Sequence, residues 1–226
     1  MIEIRELTTF FGEKLIHACL NLDVSEGKIH VLMGPYGGGK SSLMKIVAKF
    51  ASLPQPGVTS GQVVVDGRSD YGPELFFVVL QKIDMFSRTG LDLLVESIPE
   101  GGRYTRPEKE TIARDFIADQ GIPLSAELIA RNYTQFPYAK KNVLLCAMAM
   151  LSSRRYVFLD EPTAKVNDQE AAEILDVIRK LKMAGKTVVC VLHNQKHARL
   201  IGDEIHLLAG GCIIESTATA SFFSAP

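Results

Sequence analysis

A glycine-rich segment between an apolar run and a helical pattern constrains the fold of this chain more than any other feature. The segment reads Gly34-Pro-Tyr-Gly-Gly-Gly-Lys-Ser41 and follows Ile29–Met33, an apolar run typical of a strand covered on both faces. Apolar residues at helical spacing continue through Ser41–Phe50. The spacing G-x-x-x-x-G-K-[ST] in this context predicts a loop whose backbone N–H groups bind phosphate. The strand before it and the helix after it argue against a simple glycine turn with an exposed lysine.

The side chains of this loop fit a nucleotide bound together with Mg²⁺. Lys40 can supply a positive charge to the β- and γ-phosphates, and the Ser41 hydroxyl can ligate the metal. The sequence therefore predicts that a nucleotide and Mg²⁺ are the cofactors. The loop residues predicted to bind the nucleotide are Gly34, Pro35, Tyr36, Gly37, Gly38, Gly39, Lys40, Ser41 and Ser42.

A second apolar run ends in two adjacent carboxylates. Tyr156-Val-Phe-Leu leads into Asp160-Glu161, which Pro162 and Thr163 follow. A strand that ends in Asp-Glu is weak evidence alone, because such carboxylates are usually only solvated. Downstream of a phosphate-binding loop, Asp160 is predicted to hold Mg²⁺ and Glu161 to orient or deprotonate the attacking water.

The order of the patterns predicts an α/β fold: a P-loop NTPase core with a mixed central sheet, an antiparallel β subdomain and a helical insert subdomain. Ile2–Leu7 and Leu20–Val24 alternate like half-buried antiparallel strands, and strand-like runs disappear between Ser87 and Met150. We therefore predict a single domain over 1–226. Its α/β core comprises 1–87 and 151–226, and its helical subdomain comprises 88–150.

Composition excludes several classes of protein. A net charge of −1, from 25 basic and 26 acidic residues, removes the simplest argument for a nucleic-acid partner. The longest apolar run, Val143–Leu151, is about half of what a ~20-residue membrane span needs, and no signal peptide is expected. The four cysteines lack metal-ligand spacing, which predicts buried free thiols in a reducing compartment.

With these motifs the whole chain resembles the ATP-binding subunit of ABC transporters. The resemblance implies that Gln81, after the apolar run Leu75–Leu80, contacts Mg²⁺ and the water and faces a transmembrane partner. It implies that His193 contacts the γ-phosphate and that Phe11 stacks on adenine. Without the resemblance, Gln81 would be interpreted as a surface glutamine, His193 as a polar group near the core and Phe11 as a buried core aromatic. The predicted catalytic residues are Glu161, His193 and Gln81, and the predicted metal ligands are Ser41, Gln81 and Asp160.

The segment aligned with the family's Leu-Ser-Gly-Gly-Gln signature departs from it. The segment is Phe136-Pro-Tyr-Ala-Lys140, in which the serine and the two glycines of the signature are all replaced. The next family motif, Ser-Ala-Leu-Asp, is also altered and reads Ala164-Lys-Val-Asn167. In the family the signature donates N–H groups to the γ-phosphate in the opposite subunit, whereas Pro137 has no N–H and Tyr138 adds bulk. Lys140 or Lys141 could replace the lost donors by a charge, although two such lysines more often form a solvated face. We therefore expect weak or asymmetric ATPase activity.

The resemblance also implies partners and a location. The expected partners are a transmembrane permease and a second ATPase subunit, identical or different, with the chain cytoplasmic and peripheral at the inner face of the membrane. Thr187–Asn194, the Gly210–Glu215 hairpin and Phe222–Pro226 are similar to phosphate and amino-acid importers. Two alternatives stay open. One is an ATPase of an assembly complex, for which Lys140-Lys-Asn142 is a faint signal. The other is a nucleotide-binding regulatory module without useful turnover.

Overall fold

The computed structural model describes residues 1–50, 57–80, 88–99 and 104–224. The strands are β1 (Ile2–Phe11), β2 (Lys14–Val24), β3 (Ile29–Met33), β4 (Gly57–Val65), β5 (Phe76–Val79), β6 (Tyr156–Asp160), β7 (Thr187–Val191), β8 (Glu204–Ala209) and β9 (Cys212–Ala218). The helices are α1 (Lys40–Val47), α2 (Gly90–Ser97), α3 (Arg106–Asp119), α4 (Ala126–Ile129), α5 (Tyr138–Leu151), α6 (Asp168–Met183), α7 (Gln195–Ile201) and α8 (Thr219–Phe222).

The described strands form two sheets. The larger has the order β5-β6-β7-β3-β8-β9, in which β5 through β8 run parallel and β9 is antiparallel to β8. The smaller is antiparallel, with the order β2-β1-β4. This arrangement confirms the predicted α/β class with a mixed central sheet and an antiparallel subdomain. Because the parallel strands end at one edge, the residues that follow β3, β6 and β7 meet there.

Helix α1 packs in the apolar cluster that joins the two sheets. Its buried side chains Leu43, Met44 and Val47 share this cluster with Ile4 of β1 and Phe158 of β6. Burying a side chain of this size stabilises the fold by about 1.5–3 kcal/mol. Helix α1, which follows the glycine-rich loop, therefore packs against residues of both sheets.

A second cluster covers the other face of the larger sheet. It includes α5, which is buried along most of its length, with residues of α2 and α6 and of strands β3 and β6. The apolar run Val143–Leu151 is thus a core helix. Helical-segment residues and sheet residues share this cluster, and the division at 88 and 150 stays a prediction.

The helical segment differs from the prediction at the start of α5 and in α2 and α4, two helices that were not predicted. Within residues 88–99 and 104–150 the regular elements are helical, as predicted. Helical spacing in the sequence predicts a helix over Asn142–Leu151, but α5 begins four residues earlier, at Tyr138, with Pro137 as its N-cap. Asn167 followed three residues later by Glu170 predicts the cap of a helix, and α6 confirms it: the Asn167 side chain accepts from Glu170 N, and the Glu170 carboxylate accepts from Asn167 N.

The four cysteines are free thiols with different exposures. Cys146 and Cys190 are buried, as predicted, and burial raises the pKa of the Cys146 thiol to about 12. Cys19 is exposed and Cys212 is intermediate, so the prediction of buried thiols is wrong for these two. Both lie in strands of the antiparallel regions, where alternate residues face outward.

Candidate nucleotide-binding site

The glycine-rich loop connects β3 to α1 and uses its glycines where the backbone needs them. Gly34 has φ 138°, Gly37 has φ 72°, and Gly39, the N-cap of α1, has φ 94°. A Cβ atom on Gly34 would lie 2.0 Å from the Leu208 carbonyl oxygen of β8. The close approach of the loop to this strand therefore requires glycine at position 34.

Substituting Gly34 by alanine is expected to lower the free energy of unfolding by about 2–4 kcal/mol, because the methyl group overlaps a backbone oxygen and the φ value is strained. Gly37→Ala is the matched control. Its φ is also positive, but a Cβ there meets nothing within 4 Å, so a cost of about 1 kcal/mol is expected. Denaturant titration of both variants measures the difference. Equal destabilisation would contradict the contact with Leu208.

Lys40 is the first residue of α1, and its ammonium group lies at the loop. The residue is 5% exposed, and Nζ donates to the carbonyl oxygens of Gly34 at 3.0 Å and Pro35 at 2.8 Å. Burial lowers the pKa of Lys40, and the nearby carboxylates of Glu161 and Asp160 partly offset this effect. Two loop carbonyl oxygens and two neighbouring carboxylates therefore lie beside a largely desolvated cation.

Ser41 and Asp160 form a pair of oxygen ligands beside this cation. The Ser41 hydroxyl donates to Asp160 Oδ1 at 2.9 Å. Burial raises the pKa of Asp160, and the hydrogen bond from Ser41 acts in the opposite direction. A hydroxyl and a carboxylate at this separation suit Mg²⁺, which prefers hard oxygen ligands.

Glu161 and His193 lie in contact at the same edge of the sheet. Glu161 follows β6 with φ 52°, and its Oε1 lies 2.9 Å from His193 Nε2. The two side chains are 15% and 22% exposed. The structure thus brings together Lys40, Ser41, Asp160, Glu161 and His193, which lie in three separate parts of the sequence.

Two contacts in this site were missed from the sequence. The Tyr36 ring stacks on the His193 ring, with centroids 4.0 Å apart and planes at 14°, although Tyr36 itself is 79% exposed. His17 of β2 is fully buried, its Nε2 lies 3.1 Å from the Gly39 carbonyl oxygen, and its Nδ1 lies 2.6 Å from Thr9 Oγ1. No pattern in the sequence links Tyr36 to His193, and the run Leu15–Leu20 does not alternate, so it gives no signal that His17 is buried beside the loop.

Phe11 lies at the tip of the β1–β2 hairpin and is 49% exposed. The alternative of a buried core aromatic is therefore wrong. The same hairpin approaches the phosphate loop, since a Cβ on Gly39 would lie 3.0 Å from Ile16 and 2.8 Å from His17. An exposed aromatic on this hairpin is free to stack on a planar base. The role of Phe11 in adenine binding stays a prediction.

Gln81 lies outside the described residues, and its predicted role has no structural account. The altered signature is described. Phe136 is buried, Pro137 precedes the first turn of α5, and Tyr138 is 37% exposed. Because Pro137 carries no N–H, the start of α5 offers one donor fewer than a serine there would.

The two lysines of the altered signature both have partners within the chain. Lys140 Nζ lies 2.6 Å from Glu173 Oε2 of α6, and Lys141 Nζ lies 5.1 Å from the centre of the Tyr133 ring. These contacts argue against either lysine as a replacement for the lost N–H donors. They instead fix the first turn of α5 against its neighbours.

Residues 18–164 of this chain match the family model described as ABC transporter. The chain belongs to the ABC transporter family. Among curated relatives, the glutamate transport ATP-binding protein GluA of Corynebacterium glutamicum is 25% identical over all of this chain and 94% of its own length. The glutamine transport ATP-binding protein GlnQ of Bacillus subtilis is 24% identical with the same coverage.

Solved structures match the fold of this ABC family member over nearly its whole length. The dimeric cassette MJ0796, in a post-hydrolysis state bound to ADP and Pi, has a TM-score of 0.78 at 23% identity, with 97% of this chain and 99% of that chain covered. The cbiO1 protein of Clostridium perfringens has a TM-score of 0.82 at 18% identity. The predicted family and fold are confirmed, and transport relatives favour a transporter over an assembly complex. Within the described ranges, none of the helices has the length and apolar character that a membrane span requires.

Proposed function

We propose that this chain is the ATP-binding and ATP-hydrolysing subunit of an ABC importer, in which Mg·ATP binding and hydrolysis drive dimer closure. One observation carries the proposal: Lys40, the Ser41–Asp160 pair and the Glu161–His193 pair meet at one edge of the parallel sheet. The names of the GluA and GlnQ relatives support a role in transport.

Each residue of this edge has a role in the proposed reaction. Backbone N–H groups of Gly34–Ser41 and the Lys40 ammonium group bind the β- and γ-phosphates. The Ser41 hydroxyl, Asp160 and Gln81 would hold Mg²⁺, which when bound neutralises charge on these phosphates. Glu161 accepts the proton of the attacking water, and His193, hydrogen-bonded to Glu161, orients it and contacts the γ-phosphate.

We further propose that the altered signature makes the chain asymmetric in function. It keeps the groups of its own half of an ATP site, but Pro137 and Tyr138 stand where its partner's site requires N–H donors and close backbone approach. A homodimer would then be a slow ATPase. A heterodimer would hydrolyse ATP in this chain's site only if the other subunit has an intact signature.

Restoring the signature with the triple variant P137S/Y138G/A139G tests this idea. ATP turnover of the purified chain is expected to rise about 10²-fold or more, since one such donor contributes about 2.7–4 kcal/mol to transition-state stabilisation elsewhere. Tyr104→Gly, which removes an exposed tyrosine elsewhere in the helical segment, should leave turnover unchanged. No increase in a triple variant that still binds ATP would mean that this segment does not face the γ-phosphate.

We propose a transmembrane permease as the other partner, which would place the chain at the inner, cytoplasmic face of the cell membrane. Purification of the tagged chain from detergent-solubilised membranes should recover a protein with several membrane spans. Recovery of water-soluble partners alone would contradict the transport role while leaving ATP binding unaffected.

A regulatory module that binds ATP without turnover is the second candidate, and the altered signature favours it. The contact of 2.9 Å between Glu161 and His193 favours hydrolysis, because it positions a base beside the phosphate loop. Measured ATP turnover that Glu161→Gln abolishes would exclude this candidate.

A further inference from the structure

A group of three possible metal ligands lies on two neighbouring strands of the larger sheet, separate from the phosphate loop. His30 belongs to β3, and Glu204 and His206 belong to β8. In the parallel ladder His30 pairs with Glu204 and Leu32 with His206. Because residues two apart in a strand face the same side, Glu204 and His206 project together beside His30. The two histidines are 0% and 2% exposed.

The ligand atoms of these residues form a compact triangle. His30 Nδ1 lies 2.9 Å from His206 Nε2, and Glu204 Oε2 lies 3.5 Å from His30 Nδ1 and 4.0 Å from His206 Nε2. In a triangle with these sides, the point equidistant from all three atoms lies inside it, about 2.0–2.1 Å from each. Zinc–nitrogen and zinc–carboxylate distances in proteins are about 2.0–2.2 Å.

The surrounding residues orient each ligand atom towards this point. His30 Nε2 donates to the Ser25 carbonyl oxygen at 2.9 Å, so the Nδ1 lone pair of the neutral ring faces His206. His206 Nδ1 lies 2.8 Å from Ser216 Oγ, which can accept a hydrogen bond from Nδ1–H, the tautomer in which Nε2 is unprotonated. Such outer partners, which fix ring tautomers, are typical of metal-bound histidines.

Glu204 is oriented in the same way. Its Oε1 accepts from Lys28 Nζ at 2.5 Å and from Ser25 Oγ at 3.3 Å, which leaves Oε2 towards the two rings. An open cavity of about 390 Å³ adjoins the group, and Asp23, Glu204, His206 and Ser216 are among its lining residues. The cavity provides an entry path and room for water ligands, which a metal site needs.

We propose that His30, Glu204 and His206 bind a divalent first-row transition-metal ion, for which two imidazoles and a carboxylate are suitable ligands. The ion replaces the ring-to-ring hydrogen bond and joins β3 to β8. Since β3 leads directly into the glycine-rich loop, the ion would stabilise the strand that carries the nucleotide site.

Titration of the full-length, nucleotide-free chain with Zn²⁺ tests the proposal. Millimolar Mg²⁺ is present throughout, so that sites made only of oxygen ligands, such as Ser41 and Asp160, are occupied. One Zn²⁺ per chain is expected to bind, and the melting temperature should rise by about 5–10 °C at a hundredfold excess over Kd. Glu204→Gln should weaken binding at least tenfold. His197→Ala is the control, because that histidine lies on α7 outside the group, and it should bind Zn²⁺ like the unmodified chain.

A second measurement needs no variant and so does not depend on whether changes at buried histidines fold. Co²⁺ bound to the unmodified chain should give d–d absorption bands that saturate at one equivalent, without a thiolate charge-transfer band. The absence of saturable binding, equal affinity in Glu204→Gln, or a thiolate band that assigns the ion to the cysteines would each overturn the proposal. The two histidines would then be a hydrogen-bonded core pair only.

Discussion

Replacing Glu161 by glutamine is expected to lower ATP turnover by about 10²–10⁴-fold, the range that a general base contributes. The amide keeps the size of the side chain and can still contact His193, but it cannot accept a proton from water. Because Glu161 is not part of the phosphate loop, binding of Mg·ATP should change little. Steady-state phosphate release and an independent binding titration separate the two effects.

Glu215→Gln provides the control for this substitution, since Glu215 is exposed on β9 at the far edge of the sheet. Its turnover should equal that of the unmodified chain. If Glu161→Gln also retained full turnover, Glu161 would not be the base, and the hydrolytic role of the Glu161–His193 pair would have to be abandoned.

The second large effect is expected at Lys40. Lys40→Ala should weaken ATP binding by about 10²–10³-fold, because removing one partner of a desolvated charge pair costs about 2–5 kcal/mol. The same change removes the hydrogen bonds from Nζ to Gly34 and Pro35, which hold the loop together. Competition against a fluorescent ATP analogue measures the affinity over this range.

Lys109→Ala is the control, because it removes the same charge from α3, which belongs to the helical segment and not to the phosphate loop. A screened charge of this kind contributes under about 1 kcal/mol, or about fivefold in affinity. Equal losses in both variants would mean that Lys40 acts through its general charge and not through direct contact with phosphate.

Local sequence patterns predicted the phosphate loop because its chemistry depends on neighbours in the chain. The glycines with positive φ, the lysine and the flanking strand and helix all lie between Ile29 and Phe50. The strand that ends in Asp160 was predicted for the same reason. The order β5-β6-β7-β3-β8-β9 could not be worked out from the residues, because pairing between distant strands leaves no local signal.

The features that sequence reasoning missed depend on contacts between distant residues. Tyr36 stacks on a residue 157 positions away, and Lys140 pairs with Glu173 across two helices. Helix α2 was missed although Thr89 and Asp92 form a capping box at its start, because its apolar residues form a short run without clear periodicity. The pair of His30 and His206 was missed because its two members are 176 positions apart in the sequence.

Calorimetric titration of the purified, unmodified chain with Mg·ATP is the most direct test of the proposed nucleotide-binding site. The geometry of Lys40, Ser41 and Asp160 predicts a single saturable site per chain whose affinity falls when Mg²⁺ is removed. A chain that is folded by circular dichroism but takes up no Mg·ATP would contradict it.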